Sequence, residues 1–140
     1  MPIIRRIFKK RGVVSVPPDA TVEQAARQMT LEKVGSVLVM EKGTPVGIFT
    51  ERDLLNRVVA KGSDARTTPI REVMSKRLVT IDIDASTEEC YNRMQETKCR
   101  RVPISEDGKI VGMITMRDIL ERVMETLQDE NRHLQDYIRS

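Results

Sequence analysis

The sequence predicts an α/β (α+β) fold of two tandem β-α-β-β-α repeats that pair with each other and continue into an extended C-terminal helix. Three observations predict it. The chain aligns with itself, each copy contains a glycine-bearing hairpin pattern, and apolar residues recur at heptad spacing near the C-terminus. With 140 residues, the chain has room for one compact domain or two closely paired halves.

The internal repeat is the main evidence for this architecture. Residues 14–59 align with residues 79–124 without a gap, and roughly 17 of about 46 aligned positions are identical, where chance would give about three. Two copies favour a closed pair, because an extended solenoid needs three or more repeats to be stable.

Each copy begins with a short β-branched run, a turn and an amphipathic helix. The helix is expected to begin at Thr21 or Ser86, with Gln24 and Glu89 three residues later as capping-box partners. Spacing of three and four predicts the apolar faces of the two helices. These faces are Val22, Ala25, Ala26 and Met29 in the first copy, and Cys90, Tyr91 and Met94 in the second.

A β-hairpin and a second helix complete each copy. The turns end at Gly43 and Gly108, which supply the positive φ that tight hairpins need. The second helix begins near Thr50 or Thr115. Strands are expected at 13–16, 36–40 and 45–49 in the first copy, and at 78–81, 101–104 and 110–114 in the second.

The repeat also predicts the domain organisation. We expect a first repeat with its N-terminal segment at 1–62, a polar linker at 63–68, a second repeat at 69–124 and a helical extension at 125–140. Thr68-Pro69 is expected to open a short helix through Met74, because proline is accepted in a helix's first turn. The apolar residues of the segment 3–8 are expected to play the corresponding part before the first copy.

Composition excludes several classes of protein. A net charge of +3 does not demand a nucleic-acid partner. No apolar run approaches the roughly 20 residues that span a bilayer, and the basic N-terminus lacks the pattern of a secretory signal. Cys90 and Cys99 form no CxxC pair, so we expect reduced thiols and a cytoplasmic protein. No nucleophile elbow, metal cluster or P-loop is present, and we expect no enzyme.

One motif carries the functional prediction. Residues 47–53 and 112–118 share the pattern Gly-x-x-Thr-x-Arg-Asp where a strand ends and a helix begins. As a capping box, the Thr and Asp would stabilise the helix start by about 1 kcal/mol. As a ligand site, the glycine would let a ligand approach the backbone, and unpaired helix amides would bind a phosphate. The Thr hydroxyl would donate to that phosphate, and the Asp would accept from ribose hydroxyls. The two interpretations are compatible.

With these features the sequence resembles a cystathionine-β-synthase-type (CBS) domain pair, or Bateman module, over roughly residues 3–124. The resemblance implies two units related by a pseudo-twofold axis, with two clefts that commonly bind AMP, ADP, ATP or another adenosyl ligand. It implies a regulatory role for an effector protein that it does not identify, and no required cofactor.

The resemblance also implies the ligand-binding residues. Asp53 and Asp118 would hold ribose, Thr50 and Thr115 phosphate or ribose, and Arg52 and Arg117 phosphates, although both arginines are equally explained as solvated charges. The family also uses the segment before the first strand and the strand after the first helix. The further candidates there are Ser75 in the second copy, Lys10 at its equivalent in the first, Val34 and Gly35, and Arg100 and Arg101. The extra arginines suggest that one cleft favours ligands with more phosphates.

The C-terminal helix predicts self-association. Leu120, Met124, Leu127, Asn131, Leu134 and Ile138 form a short heptad seam, which favours a homodimer over a helix packed on its own domain. Two other functions stay open. One is a structural oligomerisation module with degenerate clefts, and the other is a nucleic-acid-binding regulator that uses the basic residues 5, 6 and 9–11.

Overall fold

The computed structural model describes residues 2–8 and 13–139. The chain divides into two compact units, which we call unit 1 (Met1–Arg11 with Val79–Ser140) and unit 2 (Gly12–Leu78). In chain order the elements are α1 (Ile4–Ile7), β1 (Ser15–Val16), α2 (Val22–Glu32), β2 (Ser36–Glu41), β3 (Thr44–Thr50), α3 (Glu51–Asp53) with a π-helical continuation (Leu54–Val59), a 3-10 turn (Ile70–Glu72), β4 (Ile81–Asp82), α4 (Thr87–Thr97), β5 (Arg101–Glu106), β6 (Lys109–Thr115) and α5 (Met116–Arg139).

Both units contain the same three-stranded sheet, so the predicted fold class is confirmed. In unit 2 the strand order is β1-β2-β3, with β1 parallel and β3 antiparallel to β2. Unit 1 repeats this arrangement with β4-β5-β6. The register shifts at matching places in the two hairpins, Val39/Met40 and Ile104/Ser105. The two repeats therefore share the strand order and also the position of this irregularity in the hairpin.

The hairpin turns explain why both copies keep a glycine there. Lys42 and Gly43 have φ of 51° and 78°, and Asp107 and Gly108 have φ of 51° and 77°. Two successive residues with positive φ form the turn whose twist matches that of the flanking strands. The second position is glycine in each turn, because it has no Cβ to clash in this conformation.

The first helix of each repeat begins at the predicted residue, but the two caps differ. Thr21 and Gln24 form both halves of a capping box. At Ser86 the side chain accepts from the Glu89 amide, which is half of such a box. The predicted apolar faces are buried except at two positions. Ala26 is half-buried, and Tyr91 was wrongly placed in the core, because its side chain is 41% exposed.

The compact units cross the domain boundaries expected from the sequence. Ile4 of the N-terminal segment lies in the core of unit 1, beside residues of the second repeat. Ile70 and Met74, which precede the second repeat, lie in the core of unit 2 with the first repeat. Each segment therefore packs on the repeat that it does not directly precede. The repeat alignment could not predict this, because it compares positions along the chain and not in space.

Backbone hydrogen bonds hold these two segments in equivalent ways. The Ile4 amide donates to the Ala85 carbonyl, and the Ile70 amide donates to the Ala20 carbonyl, at 2.9 and 2.8 Å. The expected short helix after Pro69 is a 3-10 turn at Ile70–Glu72. It packs against the turn that leads into α2.

The second helices of the two repeats differ most. In unit 2, α3 passes into a π-helix at Leu54 and this segment ends by Ala60. In unit 1, α5 runs without a break from Met116 to Arg139, well past the end of the repeat. The predicted C-terminal helical extension is thus the second half of α5. None of the helices in the described ranges is both long and apolar enough to cross a bilayer.

Candidate functional site

The Thr-x-x-Asp segment of unit 2 forms a complete capping box. The Thr50 amide donates to Asp53 Oδ2 at 3.0 Å, and the Asp53 amide donates to Thr50 Oγ1 at 3.2 Å. Each of these groups keeps hydrogen-bonding capacity. The Thr50 hydroxyl still has its proton to donate, and an ionised carboxylate has about four lone-pair sites, of which the cap uses one.

Unit 1 repeats this geometry closely. The Thr115 amide donates to Asp118 Oδ2 at 3.0 Å, and the Asp118 amide donates to Thr115 Oγ1 at 3.1 Å. Asp118 is buried, with 7% of its surface exposed, whereas Asp53 is half-buried. Both repeats therefore hold a Thr hydroxyl next to a carboxylate at the end of the third strand of the sheet. We call the two places the unit 2 junction (Thr50 and Asp53) and the unit 1 junction (Thr115 and Asp118).

The expectation that the helix starts offer unpaired amides to a phosphate is wrong for most of these groups. The Glu51 amide donates to the Gly35 carbonyl at 3.0 Å, and the Met116 amide donates to the Arg100 carbonyl at 2.8 Å. Together with the capping boxes, these bonds occupy three of the four backbone amides of residues 50–53, and three of the four of residues 115–118. A phosphate there would have to rely mainly on the Thr hydroxyl and on nearby cationic side chains.

The two glycines of the motif, Gly47 and Gly112, lie against other segments of the protein. A Cβ placed on Gly47 would lie 2.5 Å from Met74 Sδ and 2.9 Å from the Ser75 carbonyl oxygen. A Cβ on Gly112 would lie 3.2 Å from the Phe8 ring. The glycines are therefore needed for packing of the two crossing segments, which the sequence interpretation had instead attributed to close approach of a ligand.

Ser75 lies beside β3 of unit 2, close to the unit 2 junction. Its backbone pairs with Ile48 through two hydrogen bonds of 2.8 and 2.9 Å, two residues before Thr50. The sequence analysis had assigned Ser75 to the second copy, because it comes just before that copy in the chain. The crossing of the segment into unit 2 is the reason for the difference. Lys10, its predicted counterpart, lies outside the described residues.

Arg57 contacts the unit 2 junction and is not among the residues predicted from the sequence. Its Nε lies 3.6 Å from Asp53 Oδ1, and its Nη1 donates to the Met74 carbonyl at 3.0 Å. It thus joins the capping carboxylate to the segment that carries Ser75. The signal was available, because arginine stands four residues after the Asp in both repeats. In unit 1, however, the equivalent Arg122 pairs with Glu125 at 3.7 Å.

The remaining candidates lie close to the junctions in sequence but differ in exposure. Gly35 is buried and Val34 is half-buried against the core of unit 2. Arg100 and Arg101 are exposed, and Arg101 is the direct strand partner of Thr115. The structure thus brings extra positive charge to the unit 1 junction, whose counterpart in unit 2 has buried Ser36 opposite Thr50.

The two motif arginines are both exposed. Arg117 pairs with Glu121 through Nε and Oε1 at 3.2 Å, one helical turn further on. Arg52 is on the outer surface of α3. Their positions agree equally with solvated helix charges and with a role at the rim of a site.

The basic N-terminal segment is partly neutralised within unit 1. Arg5 donates to Asp84 at 2.9 Å and to Glu106 at 3.1 Å. The Arg5 guanidinium holds the pKa of Asp84 below its ordinary value of 3.8. Arg5 therefore serves to attach α1 to the sheet of unit 1, and the part of the basic cluster formed by residues 9–11 lies outside the described residues.

No metal centre competes with these junctions in the part of the chain that the structure describes. No group of three or more His, Cys, Asp or Glu side chains within residues 2–8 and 13–139 is arranged to hold a metal ion. A surface groove of about 690 Å³ runs along β1 and α2, with lining residues that include Pro17, Gln28 and Leu31. None of the predicted ligand-binding residues lines it.

Comparison with known proteins identifies the class to which this fold and its two junctions belong. The profile of the CBS domain matches residues 4–60 and 70–125. The chain belongs to the CBS-domain family, with two copies of the domain, and the predicted Bateman-type pair is confirmed.

Individual relatives support this assignment. The CBS domain-containing protein YhcV of Bacillus subtilis is 36% identical over 107 residues, which are 76% of each chain. The crystal structure of the CBS domain NE2398 superposes with a TM-score of 0.81 and 26% identity, covering 87% of this chain and 97% of that one. The CBS domain protein PAE2072 from Pyrobaculum aerophilum, solved in complex with AMP, has a TM-score of 0.75 and 25% identity, covering 83% and 88%.

Proposed function

We propose that this chain is a non-catalytic regulatory module that binds an adenine nucleotide or another adenosyl ligand at its Thr-x-x-Asp junctions. The observation that carries the proposal is the repeated geometry of the junctions. In both units a capping box holds a Thr hydroxyl and a carboxylate side by side, and the box itself uses one acceptor site of the carboxylate and not the proton of the hydroxyl. The AMP complex of a relative adds support from a second source.

The chemistry of the junctions suits the sugar-phosphate part of a nucleotide. A carboxylate can accept from both hydroxyls of a ribose, and such charge-assisted bonds are roughly twice as strong as neutral ones. The adjacent Thr hydroxyl can donate to a phosphate oxygen. Because the capping boxes already fix both side chains, binding would cost little additional side-chain entropy.

The two junctions are proposed to differ in the number of phosphates they favour. Arg100 and Arg101 are exposed beside the unit 1 junction, whereas glycine and buried serine stand at the equivalent places in unit 2. Cationic side chains add attraction for each further phosphate charge. The unit 1 junction should therefore prefer ATP or ADP over AMP more strongly than the unit 2 junction does.

Signalling would follow from unequal affinity for two conformations of the module. A ligand shifts a conformational equilibrium only by the difference in its affinity for the two states. We propose that the nucleotide-bound state is the one read by an effector protein, in the cytoplasm, where the free cysteines Cys90 and Cys99 would stay reduced. The chain is further proposed to act as a homodimer that associates through α5.

Calorimetric titration with AMP, ADP, ATP and S-adenosylmethionine tests the binding proposal. The native chain should release heat with at least one of them, and the double variant Asp53→Ala/Asp118→Ala should lose that signal. Gln24→Ala is the matched control, because it removes the same kind of capping box at Thr21, away from the junctions. Unchanged binding by the double variant, or no heat with any ligand, would contradict the proposal. The second outcome would favour a purely structural oligomerisation module.

A single substitution tests the difference between the junctions. Arg101→Ser gives unit 1 the residue that unit 2 has at the equivalent position. It should weaken ATP binding several-fold more than AMP binding. An equal effect on both ligands would show that Arg101 does not contact the additional phosphates.

A further inference from the structure

The second half of α5 carries an exposed apolar face. Ile119 is the last buried residue of this helix, and residues 122–139 are all exposed. Apolar side chains nonetheless continue to its end on one side. The large exposed ones are Leu120, Val123, Met124, Leu127, Leu134, Tyr137 and Ile138, with exposures from 40% to 81%. An apolar face of this length, about 27 Å at 1.5 Å per residue, is typical of a surface that a partner covers.

The spacing assigns this face to a two-stranded coiled coil. Leu120, Leu127 and Leu134 occupy heptad position d, and Met124, Asn131 and Ile138 occupy position a. We call these six residues the α5 seam. Leucine at d with a β-branched residue at a favours two strands, and the last heptad has this combination in Leu134 and Ile138. The opposite face is polar at positions b, c and f, as expected for the solvent side.

We infer that the α5 seam pairs with that of a second copy of the chain in a parallel, in-register coiled coil, with Asn131 facing Asn131 of the other copy. The inference deepens the homodimer part of the proposed function and does not depend on nucleotide binding. Its partner and its direction both follow from the residues of α5.

Asn131 selects the direction of the second helix. In a parallel, in-register pair each a residue faces its own copy, so the two Asn131 amides can hydrogen-bond to each other. In an antiparallel pair a residues face d residues, and Asn131 would lie against Leu127 or Leu134. A buried amide without a hydrogen-bond partner destabilises the pair, because its lost hydration is not replaced. The parallel arrangement avoids that cost, and it is the known use of a single asparagine at position a.

The residues beside the α5 seam agree with this register. In a parallel pair, position g of one helix approaches position e of the next heptad in the other. The pairs formed are Val123 with Gln128 and Glu130 with Gln135. Neither places like charges together, so the register carries no electrostatic penalty. The charged residues Glu125, Asp129 and Arg132 fall on the outer positions, where they keep the surface of the coiled coil soluble.

Sedimentation velocity on the full chain tests whether α5 forms the dimer contact. The native chain should sediment at twice its 16.0 kDa mass. Leu127→Asp/Leu134→Asp should shift it to the monomer mass. Thr126→Asp/His133→Asp is the matched control, with the same added charge in the same helical turns but at outer positions, and should stay dimeric. A monomeric native chain, or a seam variant that remains dimeric, would overturn the inference.

Disulfide trapping tests direction and register separately. In a Cys99→Ser background, Leu134→Cys and Ile138→Cys should each oxidise to a covalent dimer on a non-reducing gel, because like positions meet in a parallel pair. Asp136→Cys, at outer position f, should cross-link far more slowly. If the chain is dimeric by mass but neither seam cysteine cross-links, the parallel register is refuted while the homodimer stands. Nucleotide titration of the same variants reports independently on the proposed ligand function.

Discussion

At Gly47 the backbone of β3 lies against Met74 and the Ser75 carbonyl, and at Gly112 the backbone of β6 lies against the Phe8 ring. These contacts leave little room for a Cβ, which explains why the residue three positions before each Thr of the junctions is glycine. The polar residues of the junctions are likewise engaged with each other, through two reciprocal hydrogen bonds per capping box. At this scale the Thr and Asp side chains of each junction are held by hydrogen bonds to the backbone, so a ligand would add contacts to side chains that are already oriented.

The glycines give the first prediction. Gly47→Ala should destabilise unit 2, because the new methyl group would meet Met74 Sδ at 2.5 Å and a backbone oxygen at 2.9 Å. Overpacking of this kind costs about 1–3 kcal/mol. Gly112→Ala should cost less, since the Phe8 ring at 3.2 Å has to move by only a few tenths of an ångström. Urea unfolding of the two variants measures the difference. An equal loss of unfolding free energy in the two variants would show that the Ser75 backbone can move away from the new methyl group as easily as the Phe8 ring can.

The two cysteines provide the second prediction. Burial in the core of unit 1 raises the pKa of Cys90 to about 11, so this thiol is almost entirely protonated at pH 8. Because the thiolate is the reactive form, Cys90 should be inert to Ellman's reagent in the native protein. One thiol per chain should react, and Cys99→Ser should abolish that reaction. Denaturation should restore reactivity in the variant. A fast-reacting thiol in native Cys99→Ser would show that Cys90 is accessible.

At the scale of elements, the short segments before each repeat complete the core of the other repeat. Ile4 in α1 and Ile70 in the 3-10 turn are both fully buried. The residue just before each of them forms a backbone bridge to the N-cap residue of a helix in the other repeat. The bridges join Ile3 to Ser86 and Thr21 to Pro69. Both segments thus close one side of a three-stranded sheet that a β-α-β-β-α repeat leaves uncovered.

The attachment of α1 gives a pH-dependent prediction. Arg5 lowers the pKa of Asp84, so the ion pair adds stability above the ordinary pKa of 3.8 and loses it as the pH falls through the lower folded value. Arg5→Ala should therefore lower the thermal midpoint at pH 7 and should leave it unchanged near pH 2, where the carboxylates are protonated. Arg6→Ala, at the neighbouring exposed position, serves as the control. A midpoint difference that persists at low pH would rule out the ion pair as its source.

Some of these elements could be predicted from the sequence, and others could not. Thr21, Ser86 and the hairpin glycines were predictable, because caps and tight turns depend on neighbours along the chain. The crossing of the Ile4 and Ile70 segments was not, since either repeat offers an apolar surface and only tertiary packing selects one. The π-helix after Asp53 had no local signal either. For the junctions, residue types alone predicted the capping boxes but could not show that Gly35 and Arg100 would occupy the first helix amides.

For the whole molecule, the fold is a duplicated CBS-domain scaffold whose chain passes from unit 1 to unit 2 and back. Duplication supplies two like junctions, and sequence divergence has made their charges unequal. Each repeat ends in a second helix. Among the described residues, only α5 of unit 1 continues past the end of its repeat. The two proposed activities, ligand binding at the junctions and assembly through α5, lie in different parts of the chain, and each can be measured without the other.

Binding should be visible as a change in overall stability. A ligand that binds only the folded state stabilises it by about 2.7 kcal/mol at a concentration of 100 times Kd. For this chain, the bound adenine nucleotide should raise the thermal midpoint by several degrees, and Asp53→Ala/Asp118→Ala should abolish the increase. Inorganic phosphate at equal concentration is the control for ionic effects. A shift of the same size with phosphate would mean that the adenosine part is not recognised.

The central claim is that the capping carboxylates also hold a ribose, and a crystal structure of the native chain with AMP tests it most directly. If the claim holds, both ribose hydroxyls will lie within hydrogen-bonding distance, about 2.5–3.0 Å, of the carboxylate of Asp53 or Asp118. A nucleotide bound away from both carboxylates, or crystals grown with AMP that contain none, would contradict it.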